Sequence, residues 1–141
     1  MPRHLEQEHR PSRLLAACAV AVLLLSGCAA KTPSLVVQAP GNVNGGRPVY
    51  MLMRTVEEAK FTVDSYGSVA ARVSTPDDSV VRTEVIYPGT LSSFPLSSPA
   101  KGQLAVYFLF GSPTGDWKML LDKQLPQAMS IKLGKDQIEA K

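Results

Sequence analysis

Leu104-Ala105-Val106-Tyr107-Phe108-Leu109-Phe110 carries no charge and no turn former, whereas a strand with one wet face would alternate apolar and polar residues. The run is apolar throughout. It therefore reads as a strand buried on both faces, which needs a layer on each side.

Working outward, Gly111-Ser112-Pro113-Thr114-Gly115-Asp116 is a turn leading into Trp117-Lys118-Met119-Leu120-Leu121, and Met129-Ser130-Ile131-Lys132-Leu133 alternates as a closing strand. Upstream, Val80 to Tyr87 alternates and is stopped by Pro88-Gly89. Leu91 to Leu96 is a weaker strand that Pro95 confines to an edge or a crossover. Val49-Tyr50-Met51-Leu52-Met53-Arg54 is expected to be well buried, with Tyr50 and the methionines in the core, and Leu35-Val36-Val37-Gln38-Ala39 to be the first strand. The total is about seven short strands.

Two short helices are expected between the second and third strands. Thr55-Val56-Glu57-Glu58 has the form of a capping box. Asp64 is expected to cap a second helix over 65–73, in which Tyr66, Val69, Ala70 and Val73 fall on one side. The fold class is thus mainly β, a two-sheet antiparallel sandwich with a short helical insert between the second and third strands.

Pro40-Gly41-Asn42-Val43-Asn44-Gly45-Gly46-Arg47, followed by Pro48, favours a mobile loop over any regular element. Such loops carry function when a rigid scaffold presents them. Shortening this one is expected to change stability by no more than about 1 kcal/mol, because loop closure varies slowly with length.

The N-terminus has a different character. Arg3, Arg10 and Arg13 precede the uncharged run Leu14 to Leu25, of signal-peptide length, which ends in the lipobox Leu25-Ser26-Gly27-Cys28. A second match ending at Cys18 leaves only four apolar residues after Arg13 and no segment to insert. Residues 1–27 are therefore read as a signal peptide, 28–34 as a lipidated tether and 35–141 as the domain. Cys28 is the expected lipidation site, bearing covalent diacylglyceryl and N-acyl chains that each contribute about 0.8 kcal/mol per buried methylene. Ala29, rather than Asp, follows Cys28, which favours the outer membrane, inner leaflet, facing the periplasm.

Of the 15 Lys/Arg and 12 Asp/Glu, three and two lie in the leader, leaving 12 against 10 scattered charges and no nucleic-acid footprint. Both histidines (His4 and His9) and Cys18 also lie in the leader, so past Cys28 there is no histidine and no further thiol. Most metal sites and the usual Ser/His and Cys/His pairs are thereby excluded. Glu57, Glu58, Asp77, Asp78 and Glu84 read as solvated caps and turns, and Gly41 to Gly46 lacks a P-loop lysine. No cofactor, metal or small-molecule substrate is expected, and a binding or scaffolding role is what remains.

The order of features, lipobox, strand, Gly-rich loop, Arg47-Pro48 leading into the second strand, a helical region with Phe61 and Asp64, the Glu84 to Gly89 strand with its Pro-Gly stop, the Leu104 to Phe110 strand and Trp117-Lys118, resembles the TssJ (SciN) family, the outer-membrane lipoproteins of type VI secretion systems. The resemblance runs from about Leu35 to Ile138. It implies a transthyretin-like sandwich whose loop between the first two strands, here Pro40 to Arg47, contacts the periplasmic C-terminal domain of TssM in a complex with TssL. Two other readings stay open. One is a pilotin lipoprotein of a type III secretion system; the other is a periplasmic ligand-binding or inhibitor module, which would line a pocket with Tyr50, Tyr107 and Trp117.

Overall fold

The computed structural model describes residues 31–140, so residues 1–27, read above as a signal peptide, and the expected lipidation site Cys28 lie outside the described residues. In chain order the elements are β1 (Ser34–Gln38), a 3-10 turn (Val43–Gly45), β2 (Val49–Val56), α1 (Glu58–Val63), α2 (Tyr66–Ser74), β3 (Val80–Ile86), β4 (Leu91–Pro95), β5 (Gln103–Leu109), β6 (Lys118–Leu120), β7 (Ala128–Leu133) and β8 (Ile138–Ala140).

They form two four-stranded sheets, ordered β4-β1-β7-β8 and β3-β2-β5-β6, with the helical insert between β2 and β3 as expected. Because side chains alternate across a strand, β5 splits its apolar run between two layers. Leu104, Val106 and Phe108 join Leu35, Val37, Met51, Met53, Ile131 and Leu133 between the sheets. Ala105, Tyr107 and Leu109 face the other way and pack with Leu52, Val56 and Val69 beneath the helices. The helical insert is therefore the second layer that the continuous run requires.

All strand pairs but one are antiparallel; β1 runs parallel to β7, Leu35 beside Met129 and Val37 beside Ile131. The expectation of an entirely antiparallel sandwich is corrected at that pair. Parallel neighbours require a long crossover, here everything between β1 and β7, and turn signals report only on strands joined by short turns. β8 is an eighth strand that the count of seven lacked, too short at three residues to show a period.

Three local expectations also change. Thr55 sits inside β2, its N–H donating to the Ser79 carbonyl at 2.8 Å, so no capping box forms and α1 starts after Glu57 without a side-chain cap. Ser65, not Asp64, caps α2, its Oγ accepting from the Ser68 N–H. Tyr50, expected in the core, is 47% exposed, because the helices cover β2 at Leu52 and Val56 and leave its first residues open. Tyr66, Val69, Ala70 and Val73 do pack on the sheet from one side of α2. β4 stands at a sheet edge, where Pro95 costs no ladder hydrogen bond.

Candidate functional site

The segment from Pro40 to Arg47 is built more firmly than its composition suggests. Val43 donates its N–H to the Pro40 carbonyl (3.0 Å), Gly45 to Asn42 (3.2 Å) and Gly46 to Val43 (2.9 Å), closing the 3-10 turn. The turn needs three successive residues at positive φ, Asn44 (50°), Gly45 (66°) and Gly46 (79°), which is the reason for an asparagine and two glycines. The expectation that no regular element forms here is thus corrected. Val43 is fully buried in the inter-sheet core, so the segment is pinned at its centre.

Asn44 ties the turn to its surroundings. Its backbone N–H donates to the Lys135 carbonyl (2.6 Å), its side-chain amide to the Pro48 carbonyl (2.8 Å), and its Oδ1 accepts from the Gly111 N–H (2.7 Å). A Cβ at Gly111 would lie 3.0 Å from the tip of the exposed Arg47 side chain and 3.3 Å from Asn44 Oδ1. Gly41, Asn42, Gly45, Gly46 and Arg47 remain exposed around this anchored centre.

Beside the turn lies an open groove of about 460 Å³. Arg47, Tyr50 and Phe110 line one part of it and Tyr66, Ala70 and Val73 of α2 the other. The exposed loop and the helical insert therefore meet along one apolar-floored depression with a cation at its rim. Tyr50 is the one member of the aromatic trio Tyr50, Tyr107 and Trp117 to line it. Tyr107 is fully buried, and Trp117 packs edge-on against Tyr66 (centroids 5.1 Å apart) and at a tilt against Tyr107 (5.8 Å). Such an arrangement makes Tyr107 and Trp117 supports for α2 rather than walls of a ligand pocket.

The insert that forms this wall is held by polar contacts beneath the helices. Arg54, 5% exposed, reaches both carboxylate oxygens of Asp64 at 3.4 Å, and the Tyr107 hydroxyl donates to Asp64 Oδ2 at 2.6 Å. Burial, with the Asp64 hydrogen bond adding to it, pushes the Tyr107 hydroxyl well above its ordinary range, so it stays a donor. The Lys118 ammonium donates to the Phe61, Thr62 and Asp64 carbonyls (2.7, 3.3 and 3.0 Å), satisfying the C-terminal end of α1, and lies 4.8 Å from the Phe61 ring centre. The Tyr66 hydroxyl donates to the Phe110 carbonyl, linking α2 to the end of β5; its burial raises the Tyr66 hydroxyl above its usual range. Sequence reasoning assigned none of this bracing. The one available signal was the charged Arg54 at the end of an otherwise apolar strand.

Among the described residues no helix is long and apolar enough to cross a membrane.

Comparison with known proteins places the chain in a family. A family model described as IglE, N-terminal domain, matches residues 50–133, from β2 through β7. No curated protein sequence matches the chain. Among solved structures, Serratia marcescens Lip, a membrane-bound component of the type VI secretion system, is similar at TM-score 0.62 and 17% identity, covering 78% of this chain and 96% of that one. The type VI lipoprotein TssJ1 from Pseudomonas aeruginosa gives TM-score 0.52 and 18% identity, over 77% and 94% of the two chains. A structure of the TssM C-terminal domain (869-1107) from EAEC gives 0.59 and 15%, over 77% and 99%. At these identities the shared property is the fold, and it is the TssJ-type sandwich.

Proposed function

The chain belongs to the family of the IglE N-terminal domain, and from that membership and its TssJ-type sandwich we propose that it is a structural, non-enzymatic component of a type VI secretion membrane complex. In this reading Cys28 carries diacylglyceryl and N-acyl chains. They hold the domain on the inner leaflet of the outer membrane, facing the periplasm. Its partner is the periplasmic C-terminal domain of a TssM-like inner-membrane protein, within a complex that also contains TssL.

The observation that carries the proposal is the groove between the Pro40–Arg47 segment and α2. A protein contact needs a rigid surface, an exposed aromatic anchor and a polar rim. Val43 and Asn44 supply the rigidity, Tyr50 the anchor and Arg47 the rim. The small-ligand reading loses its expected pocket, because Tyr107 and Trp117 do not line the groove.

The test is a pull-down of the tagged full chain from detergent-solubilised envelopes, with Cys28 intact and as Cys28→Ser. The wild type is expected to take up labelled acyl chains and bring down a TssM-like protein. Cys28→Ser is expected to lose the label and move to the periplasmic fraction. Persistent acyl labelling of that variant would defeat the lipid site, and recovery of a secretin in place of a TssM-like protein would defeat the type VI reading.

A further inference from the structure

β3 stands at the outer edge of its sheet, and among the described residues no strand takes its second hydrogen-bonding side. Exposed edges are usually blunted by charged side chains, proline, a β-bulge or charges turned toward the core side, and this one has a bulge at Val81 and two such charges. On its other face the edge presents Val81 (58% exposed), Val85 (38%) and, just past its end, Tyr87 (58%), with Tyr50 of β2 beside Val85. Its two charges, Arg82 and Glu84, lie opposite Met53 and Met51 on the core side and neutralise each other at 2.9 Å. A bulge at Val81 ends the regular ladder, so the uninterrupted edge is Arg82 to Ile86.

The order of residues along this edge names its occupant. In Val81-Arg82-Thr83-Glu84-Val85 the chemistry reads as its own complement when the strand is reversed about Thr83. Directly opposite residues in an antiparallel pair share a face. A second β3 laid against the first with Thr83 on the twofold axis therefore sets each Arg82 opposite the other copy's Glu84. Thr83 meets Thr83, while the bulge leaves Val81 outside the paired stretch. An unrelated strand would have to bring a carboxylate and a cation two residues apart in that register; β3 already holds both.

We propose that β3 is a self-association edge, through which two copies of the chain join their β3-β2-β5-β6 sheets into one continuous sheet about a twofold axis at Thr83. The contact is isologous and closes on itself. Resting on one strand pair, it is smaller than the roughly 1,600 Å² of a standard interface, so the dimer is a weak, concentration-dependent one.

The test traps the contact in the full chain, purified in mild detergent. Directly opposite residues have Cβ atoms about 4.5–5.5 Å apart, near the reach of a disulfide. Under mild oxidation Thr83→Cys is expected to give at least ten times more disulfide-linked dimer than Ser98→Cys, an exposed position outside the strands. Equal yields would overturn the proposal. The register is tested by charge in the Thr83→Cys background. Arg82→Glu and Glu84→Arg are each expected to reduce the dimer at least fivefold alone, by setting like charges opposite. Mixing the two variants restores it, because each then supplies the charge that the other lacks. Full yield from either variant alone, or no recovery in the mixture while both melt as folded proteins, would overturn the register and with it the assignment.

Discussion

Val43→Ala tests whether the turn from Pro40 to Arg47 is part of the core or an appendage to it. The side chain is fully buried, 0% exposed, in the inter-sheet cluster that also contains Ala39 and Val49. The substitution removes two methyl groups, about 1.6 kcal/mol at the transfer value per methylene, and the cavity left behind raises the cost to about 2 kcal/mol. For a domain of this size, that corresponds to a fall in Tm of about 8 °C. Thermal unfolding of the 31–141 segment by circular dichroism reads it directly, with Arg47→Ala, at an exposed position, as the partner variant expected to stay within about 0.5 kcal/mol of wild type. A fall of less than about 3 °C for Val43→Ala would refute the reasoning and return the segment to the status of a simple connection. The expectation that the whole stretch can be shortened at a cost within about 1 kcal/mol does not survive this geometry, since a shortened turn would lose both Val43 and the three Asn44 hydrogen bonds.

Removing the buried carboxylate in Asp64→Ala leaves Arg54 without its counter-charge and is expected to cost about 3 kcal/mol; in urea unfolding, a loss below about 1 kcal/mol would show that the Arg54–Asp64 pair does not hold the insert. The companion change Arg54→Met/Asp64→Leu is expected to cost less than the single one, because no charge is then stranded. The Asp77 carboxyl is held down to about 2 from 3.8, first by the Ser79 hydroxyl, then by the Arg72 guanidinium. A group depressed in the folded state contributes stability above its unfolded pKa and loses it as pH falls through the folded value, so wild type is expected to lose urea resistance more steeply than Asp77→Asn between pH 4 and pH 2. Parallel curves would remove Asp77 from the account.

What could be read in the sequence was what a short window contains. The unbroken run from Leu104 to Phe110 signals burial on both faces because every residue in it must meet a layer, and α2 shows its packed side at the helical period. The parallel seating of β1 beside β7 is decided by partners far apart in the chain, and no local pattern encodes it. Asp64 was legible as an acid before a helix; its use against Arg54 and Tyr107 depends on residues 10 and 43 positions away. At the candidate site the glycines and asparagines announced unusual backbone angles but not that Val43 between them enters the core. Tyr50 looked like its apolar neighbours because the sequence does not say where the helical cover stops.

The central claim is that the groove between the Pro40–Arg47 segment and α2 receives the periplasmic domain of a TssM-like partner. Titrating that domain, taken from the same secretion gene cluster, into the wild-type 31–141 segment and into Tyr50→Ala and Arg47→Glu tests it most directly. The account predicts measurable binding to wild type and a loss of about 30-fold in affinity, ~2 kcal/mol, for each variant, with melting temperatures unchanged. Wild-type affinity in both folded variants, or no binding to wild type at all, would contradict it.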